Sequence, residues 1–439
     1  MMKRRLLTYC ILLVLSFINI KAMASNETHD LLSSLSCIST ETHEQADQRM
    51  QLKGTDVEVN IYGSIAEVIV RKQYKNNSDQ ILSGRYTFPA PERALVHDME
   101  MKTNETIFTA KVKEQKKALE EFHRIKEEGK NVILLNQEKP EIFSMDMANL
   151  MPGETIDVEY RYTELLIPND MRYKFVYPAD KNTEYPGQPD AEFDIAVNIS
   201  AGIPIQELMC SSHETDIIID TESSAKVILK GQAKKGNNTD YILNYRLTEK
   251  KMRSGLILSG GNDEKYLLFN DYVGAPGLKD ISVRFTDLKT YDIEPSVIPD
   301  LSAPRPVTLL AKWEGEADGL VKVEGRRMGR NYSKTYRFIK NNSRNLDGAL
   351  EHLWAGKRIE RLSNNNTADG NRNIDSEITS LGLKHNVLTK NTSLIVYNDI
   401  VRKAVTPVEK DEELLPAPEE EPMPEPVRIA KVPEPDFYV

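Results

Sequence analysis

The first half of the chain is dominated by alternation of apolar and polar residues. On either side of a Gly63-Ser64 break, apolar side chains recur at every second position: Val57, Val59, Ile61, Ala66, Val68 and Val70. A period of two around a glycine is typical of a β-hairpin. The same period over Ile156 to Tyr162 follows the turn sequence Met151 to Glu154 and predicts a second hairpin there.

One segment departs from this period. Between Lys111 and Lys130, apolar residues recur at helical spacing among lysines and glutamates, and Gly129 stands where a C-terminal cap belongs. These apolar residues are Ala118, Leu119, Phe122 and Ile125. The pattern predicts one amphipathic helix whose charged side faces solvent.

Short alternating runs continue from about Phe193 to Leu258 and are separated by Gly, Asn and Lys turns. The runs are Ile195–Val197, Ile217–Ile219, Val227–Leu229, Ile242–Tyr245 and Leu256–Leu258. Runs of this length and period predict more antiparallel sheet.

The C-terminal part mixes both periods. We predict a hairpin in which Val307–Trp313 pairs with Leu320–Val323, then two helices separated by a polar loop at 363–372, and then a strand at Leu394–Tyr397. The helical positions are Leu346, Leu350, Leu353 and Trp354 in the first helix and Ile374, Ile378 and Leu381 in the second. Trp313 and Trp354 are interpreted as core residues rather than exposed contact anchors.

Both ends of the chain are expected to lie outside the fold. Basic residues precede an apolar run from Leu6 to Ile20, and Ala22-Met23-Ala24 follows, which is typical of a secretory signal peptide cleaved between Ala24 and Ser25. A retained anchor is the lesser alternative, because this run is shorter than the about 20 apolar residues that span a bilayer. Proline and glutamate dominate the last segment, so we predict a disordered acidic tail over 401–439.

Charge and cysteine content limit the classes of function. The formal net charge of -10 and a pI near 5.5 oppose binding to nucleic acid. Signal cleavage would leave Cys37 and Cys210 as the remaining cysteines, and an oxidising compartment permits a disulfide between them, which spacing alone does not establish. We expect no stable membrane span after signal cleavage.

Patterns for catalysis or metal binding are weak. The seven histidines are scattered, with neither an HExxH motif nor zinc-ligand spacing. His213 and Glu214, with Asp216 nearby, are better interpreted as a solvated loop than as metal ligands. There is no Gly-x-Ser-x-Gly elbow, and Gly260-Gly261 is a turn rather than a phosphate loop. We therefore predict no catalytic, cofactor-binding or metal-binding residue and no cofactor.

Several stretches resemble one family in its own order. They are Val68–Tyr74 running to Tyr86–Pro91, then Lys111–Glu114 with Leu134–Gln137 and Pro140–Phe143, then Ala148–Glu154 with Tyr160. Together they resemble a vault protein inter-alpha-trypsin (VIT) domain, which we assign to residues 38–167. The resemblance implies an antiparallel, β-sandwich-like domain with one amphipathic helix.

The C-terminal half resembles the segment that follows the von Willebrand type A (VWA) domain in VIT–VWA proteins. The matching stretches are Tyr291–Pro295, Ile298–Leu301, Arg305–Val307, Lys312–Gly315, Leu353–Ala355 and Leu381–Thr389. Gly255–Leu258 is similar to the strand that leads into the VWA domain, and Tyr272 to Ile281 to the segment just after it. The VWA domain itself is therefore missing.

A VWA domain holds a divalent cation through an Asp-x-Ser-x-Ser loop, whose oxygens suit Mg²⁺ or Mn²⁺. The nearest string here, Asp220 to Ser224, has Glu222 where the first hydroxyl belongs. Metal-dependent adhesion is therefore not implied for this chain.

We predict a β-rich α+β fold with five parts. These are a signal peptide (1–24), the VIT domain (38–167), a β-sheet continuation (168–262), a small mixed α/β region resembling the post-VWA segment (263–400) and the tail (401–439). The expected protein is exported and non-catalytic, located in the periplasm, at the cell surface or secreted. It would bind another envelope or extracellular protein through sheet edges and loops, or act as a structural component there.

Two alternatives remain open. One is a hydrolase whose Ser-His-Asp-like site is assembled only in three dimensions. The other is a degraded VIT–VWA relative without function. The sequence leaves the oligomeric state and the identity of the partner open.

Overall fold

The computed structural model describes most of the chain between residues 35 and 401. The described ranges are 35–37, 50–103, 106–169, 171–180, 191–231, 239–248, 254–259, 264–272, 277–301, 305–316, 318–339, 346–365 and 372–401. Within them, twenty-four strands form five sheets and three helices pack on those sheets. The β-rich α+β class is therefore confirmed, while the predicted signal peptide and nearly all of the predicted tail lie outside the described residues.

The strands differ widely in length, and the first fourteen belong largely to the VIT segment and its continuation. They are β1 (Leu35–Cys37), β2 (Met50–Tyr62), β3 (Ile65–Asn76), β4 (Leu82–Pro89), β5 (Leu95–Thr103), β6 (Thr106–Thr109), β7 (Lys111–Glu114), β8 (Lys130–Lys139), β9 (Ile142–Leu150), β10 (Thr155–Leu165), β11 (Arg172–Tyr177), β12 (Glu192–Ser200), β13 (Ile205–Cys210) and β14 (Thr215–Thr221). Helix α1 (Gln115–Glu127) lies between β7 and β8.

The remaining elements include the other two helices. They are β15 (Ser224–Leu229), β16 (Tyr241–Leu247), β17 (Ser254–Leu258), β18 (Tyr266–Tyr272), β19 (Leu278–Thr286), β20 (Lys289–Glu294), β21 (Pro306–Glu314), β22 (Asp318–Arg327), β23 (Arg330–Ile339), α2 (Asp347–Asn365), α3 (Arg372–Lys384) and β24 (Thr392–Val401).

The main core lies between one large sheet and two smaller ones. The large sheet has eight strands in the order β14-β15-β12-β2-β3-β10-β5-β6, and it faces a six-stranded sheet, β1-β4-β9-β8-β24-β7, and a three-stranded sheet, β11-β16-β13. The alternating residues of the predicted first hairpin are buried on the inner face, and β2 and β3 pair antiparallel around Gly63. That hairpin is confirmed, and Gly63 supplies the positive φ of +63° that its turn requires.

One strand pair of the large sheet runs parallel. Strand β12 pairs with β2 in the same direction, from Glu192 beside Gly54 to Ser200 beside Tyr62. The predicted antiparallel pairing is confirmed within this segment, where β12 and β14 both pair antiparallel with β15, but the parallel pairing of β12 with β2 was not predicted. The chain crosses to the opposite layer through β11 before it returns as β12, and a parallel neighbour requires such a crossover.

Two predicted hairpins are instead connections between sheets. Strand β9 pairs with β4 and β8, whereas β10, beyond the turn Met151 to Glu154, pairs with β3 and β5. Likewise β21 pairs with β18 and β20, whereas β22 pairs with β19 and β23. Both hairpin predictions were wrong, because alternation shows which face of a strand is buried and not which strand lies beside it.

Helix α1 is confirmed, with two differences from the prediction. Ala118, Phe122 and Ile125 are buried against β8 and β24, and the chain leaves the helix through Gly129 at φ +72°. Residues 111–114 form strand β7 instead of the first helical turn. Leu119 is 42% exposed, because it points away from the stripe that packs on the sheet.

Strand β24 completes the six-stranded sheet from a distant part of the sequence. It lies between β8 and β7, so that Leu394 has Leu135 on one side and Val112 on the other. Leu394 is fully buried in the main core. The predicted strand at Leu394–Tyr397 is therefore confirmed, and it belongs to the sheet on which α1 packs.

The C-terminal region has its own small sandwich. A four-stranded sheet, β17-β18-β21-β20, packs against the three-stranded sheet β19-β22-β23. Helix α2 lies on β18 and β21 and also contacts Ile65 and Leu165 of the large sheet. Both tryptophans are buried as expected: the indole N–H of Trp313 donates to the Tyr266 carbonyl, and that of Trp354 to the Asp292 carbonyl.

The structure revises one predicted boundary in this region and shows how β17 and β18 are joined. Helix α2 continues to Asn365, so residues 363–365 are helical and not part of the predicted loop. At the place where the resemblance puts the missing VWA domain, β17 and β18 pair as neighbouring antiparallel strands, with Leu258 beside Leu267. A domain inserted there would leave and re-enter the sheet at adjacent points, so its absence leaves the pairing intact.

We predict that Leu394→Ala lowers the free energy of unfolding by about 2–5 kcal/mol, because it leaves a cavity in the main core. Leu383→Ala is the matched control: Leu383 is exposed on α3, and its loss should change stability by less than about 0.5 kcal/mol. Denaturant unfolding of both variants measures the difference. Equal stability of the two variants would show that β24 does not belong to the core.

Candidate functional site

Of the residues predicted to form the signal cleavage site and the disulfide, the structure describes the side chain of Cys210. Ala24, Ser25 and the side chain of Cys37 lie outside the described residues. Cys210 is a free, half-buried thiol at the end of β13, with its Sγ 3.6 Å from the Ser212 Oγ. The disulfide between Cys37 and Cys210 therefore stays a prediction, as does cleavage after Ala24.

The two loops considered for metal binding have other roles. The Nδ1 of His213 shares a 2.8 Å hydrogen bond with the Ser212 hydroxyl, and burial lowers the pKa of His213. The string Asp220 to Ser224 forms the turn between β14 and β15, where the hydroxyls of Thr221 and Ser224 lie 2.8 Å apart. Across the described ranges, no group of three or more His, Cys, Asp or Glu side chains is placed to hold a metal ion.

Three histidines that are far apart in the sequence lie where the large sheet meets helices α2 and α3. His97 comes from β5, His352 from α2, and His385 follows α3. The rings of His97 and His352 are stacked with centroids 3.9 Å apart. The Nδ1 of His385 lies 2.8 Å from the Glu351 Oε1. We call this group the histidine joint.

Within the histidine joint, His97 is held in a Thr-His-Asp arrangement. Its Nδ1 lies 2.8 Å from the Asp98 Oδ2, and its Nε2 lies 3.2 Å from the Thr163 Oγ1. A hydrolase orders its acid, base and nucleophile in this way. However, Thr163 is 0% exposed, so a substrate has no path to its hydroxyl. The geometry therefore favours a packing role over catalysis.

Burial opposes charge on two side chains in this region, His352 and Glu164. Burial, together with the charge on His97, lowers the pKa of His352 to about 3, and the His352 Nδ1 has no hydrogen-bond partner among the described residues. Burial raises the pKa of Glu164, which neighbours Thr163 in β10, to about 7. Sequence spacing gave no signal for this cluster, because its members are brought together only by the packing of α2 on the large sheet.

A second polar feature lies inside the main core. The side chain of Lys72 is fully buried on the inner face of β3, where it pairs with Asp180. Its ammonium lies 5.1 Å from the centroid of the Tyr86 ring and 5.2 Å from that of Phe88. Burial, with the charge of Asp180, raises the pKa of Tyr86. Sequence reasoning missed this lysine, although its position two residues after Val70 placed it on the inner face.

The outer face of the large sheet forms an open groove of about 820 Å³. Its charged side chains include Asp56, Asp157, Glu159 and Arg71. The guanidinium of Arg71 is shared between Asp56, at 3.0 Å, and Glu159, at 2.8 Å. Because its central cation is already paired on both sides, the groove is best described as a solvated ion-pair network.

Strand β14, at one edge of the large sheet, is the clearest departure from an ordinary surface. Ile217, Ile218 and Ile219 are 39%, 48% and 60% exposed. In the part of the chain that the structure describes, β14 pairs only with β15, so the backbone groups along its other side are open. Asp216 and Asp220 flank the isoleucines, and Asp216 lies 3.5 Å from the Lys230 ammonium.

No helix within the described ranges has the length and apolar composition that a membrane span requires.

Comparison with known proteins identifies one domain. Residues 52–162 match the family model of the vault protein inter-alpha-trypsin domain. The VIT domain inferred from the sequence is therefore confirmed over these residues, which include the first hairpin, α1 and most of β10.

The similar proteins are longer chains. The von Willebrand factor A domain-containing protein 5A of mouse is 23% identical over 222 residues, which is 45% of this chain and 28% of the relative. Its human counterpart is 28% identical over 161 residues, or 36% and 20% of the two chains. The mouse protein mono-ADP-ribosyltransferase PARP4 is 28% identical over 113 residues, or 26% of this chain and 6% of the relative. This chain thus spans less than a third of these relatives.

Among solved structures, a Legionella pneumophila protein described as a candidate nutrient-binding protein is similar over 48% of this chain and 70% of its own. The TM-score is 0.33 and the sequence identity is 9%. A likeness at this level carries no functional argument.

Two groups with shifted pKa values, His352 of the histidine joint and Glu164 of β10, give a test by pH. The unfolded chain protonates His352 below about pH 6.5 and the folded protein only below about pH 3, so acidification through that window destabilises the fold. Glu164 acts in the opposite sense between about pH 4.5 and 7, because the folded protein holds its proton more tightly there. The two contributions therefore offset each other between pH 4.5 and 6.5.

We predict that Glu164→Gln uncovers the histidine contribution. Between pH 4.5 and 6.5, the free energy of unfolding should then rise with pH more steeply than in the unchanged protein, by up to about 1.4 kcal/mol per pH unit. Denaturant unfolding across this range measures the slope, with Glu120→Gln on the exposed side of α1 as control. The same slope in all three proteins would show that Glu164 is not a shifted carboxyl.

Proposed function

We propose that this chain is an exported protein-binding module whose partner adds a strand to the free edge of β14. The observation that carries the proposal is the row of three exposed isoleucines, Ile217 to Ile219, on a strand with one side unpaired among the residues that the structure describes. In strand addition, backbone hydrogen bonds provide affinity and alternate side chains provide specificity. The VIT domain in the same sheet supplies the scaffold.

The isoleucines lie on both faces of the edge. Ile217 stands beside Val227 of β15, which is buried, so Ile217 lies on the inner side of the sheet. Ile218 stands beside the exposed Lys226, so it lies on the outer side. A strand added at this edge would cover apolar surface on both faces at once.

The free energies of side-chain burial and of association support a specific but reversible interaction. Full burial of one isoleucine contributes about 1.5–3 kcal/mol, and these three are already partly buried. Association itself costs about 4–15 kcal/mol in lost freedom, so the side chains alone do not hold a partner. Backbone hydrogen bonds along the open edge must contribute the remainder.

The flanking acids favour a heterologous strand over a second copy of the chain. In an antiparallel pairing of two β14 strands centred on Ile218, Asp216 would face Asp220 of the second copy. Like charges directly opposite are destabilising. The carboxylate of Asp216 already lies near the ammonium of Lys230. A basic side chain of the partner, placed just beyond its apolar residues, would suit this position in the same way. The proposed partner strand therefore has an apolar centre and basic ends.

The proposed location is the envelope or the extracellular space, either in the periplasm, at the cell surface or secreted. It rests on the basic start, apolar run and small-residue site within residues 1–24, which together are typical of a signal peptide. A partner in that compartment, rather than nucleic acid, also suits a chain with a net charge of -10.

We predict that Ile218→Lys lowers capture of the partner about tenfold, because it removes apolar contact and places a charge at the centre of the edge. The measurement is cross-linking in intact expressing cells with a tagged chain, followed by mass spectrometry. Leu119→Lys, which adds the same charge at an exposed apolar site on α1, should capture as much as the unchanged protein. Thermal unfolding of both variants should match, since neither residue is in the core. Equal capture by both variants would exclude the β14 edge.

We also predict that the mature protein begins at Ser25 and that deletion of residues 1–24 retains it in the cytosol. Intact-mass measurement of the fractionated product tests the cleavage site. A product that keeps its first 24 residues in the membrane fraction would favour the retained anchor instead.

A further inference from the structure

We propose that the tip of the β22–β23 hairpin, residues Arg326 to Arg330, docks on an anionic lipid surface. This goes beyond the binding of a protein strand at β14, since the tip belongs to a different sheet. Three properties of the tip carry the inference, namely its exposed apolar residue, the backbone conformation of that residue and the unpaired cations around it.

Met328 is the most exposed large apolar side chain in the described part of the protein, at 84%. It forms the two-residue loop of the hairpin with Gly329, because Arg327 and Arg330 are the last paired residues. A methionine at this place holds a flexible, unbranched apolar chain fully in solvent, which is the arrangement expected of a residue that inserts between lipid headgroups.

The backbone at the tip holds Met328 in a conformation that is costly for a residue with a side chain. Met328 has φ +49° and Gly329 has φ +75°, as a two-residue turn with both central residues in the left-handed region requires. Asn-Gly is the sequence that such a turn favours, and a side chain without a local hydrogen bond is costly there. Strain of this kind in an exposed loop points to a function for the residue that bears it.

The surrounding charge is positive and unpaired. Arg326 and Arg330 are exposed and Arg327 is half-buried, and none of the three forms an ion pair within the described residues. Lys279 of β19 stands beside Arg326 and adds a fourth cation. The carboxylate of Glu324 on the same strand is already held by Lys322, at 2.7 Å.

These features fit a lipid surface better than a protein. A stable protein interface buries about 800 Å² on each side around aromatic anchors, whereas the tip offers one methionine and no aromatic residue. The whole chain carries a net charge of -10, so its overall charge opposes an anionic membrane and any attraction must come from this local cluster. Each cation near such a surface strengthens binding by about fivefold.

The hairpin presents the tip without rearrangement. Strands β22 and β23 pair along their whole length, and Val321 and Val323 are buried in the core that the hairpin shares with the four-stranded sheet. Because the base of the hairpin is fixed in this way, the apolar residue and its cations are held together in one direction.

The test is co-sedimentation of the whole exported protein, from Ser25 onward, with lipid vesicles at low and at high salt. One vesicle preparation is phosphatidylcholine alone, and the other contains equal parts of phosphatidylglycerol and phosphatidylcholine. The variants are Met328→Asn, which supplies the residue the turn prefers, and the pair Arg326→Ala with Arg330→Ala. The control pair, Lys116→Ala with Lys117→Ala, removes the same charge from the exposed side of α1.

We expect the unchanged protein and the control pair to bind the anionic vesicles at low salt only. Met328→Asn should bind about fivefold more weakly while unfolding at the same or a higher temperature, and the arginine pair about 25-fold more weakly. The proposal is overturned if the unchanged protein binds anionic vesicles no better than neutral ones. It is equally overturned if the tip variants bind as tightly as the unchanged protein, or if the control pair loses as much as the arginine pair.

Discussion

The fold depends on the pairing of strand β24 between β8 and β7. Strand β7 has no other strand beside it among the described residues, so the segment that leads into α1 is joined to the sheet through a strand from the far end of the chain. The segment before β24 is held to the large sheet as well: the Leu388 N–H donates to the Val96 carbonyl, and the Asn386 side chain donates to the His97 carbonyl. The VIT residues and the C-terminal segment therefore share one core, and the histidine joint lies on the surface where they meet.

The sequence predicted individual elements better than their neighbours. Alternation located β2, β3, β10 and the strands around β14, and helical spacing located α1 and α2, because each of these periods reports which side of an element is buried. It did not show that β9 and β10 lie in different layers, since partner choice depends on contacts between distant residues. The exposure of Ile217 to Ile219 was hidden for the same reason: an apolar run is buried in a central strand and open at an edge. The stacking of His97 on His352 could not be predicted from the sequence, because it depends on how α2 packs on the large sheet.

Buried charge connects the layers of the protein. Lys72 pairs with Asp180 inside the main core, and the buried Glu294 of β20 accepts hydrogen bonds from Arg358 and Arg361 of α2. Such pairs add little net stability compared with apolar residues of the same size, but removing one partner leaves an uncompensated charge that costs about 3–5 kcal/mol. They therefore specify which surfaces meet, and they do so at the contacts between sheet and sheet and between sheet and helix.

These buried ion pairs bear on the alternative that the chain is a degraded VIT–VWA relative, which lost its function together with the VWA domain. A chain without constraint would be expected to lose buried ion pairs first, because each depends on two residues at distant positions. The structure contains several such pairs, and β17 and β18 pair at the place where the resemblance puts the missing domain. It also keeps an exposed apolar edge at β14, which is an aggregation hazard that monomeric proteins normally cover or break. An edge that stays open, flanked by Asp216 and Asp220 against self-pairing, is more readily explained by a partner that covers it than by loss of function.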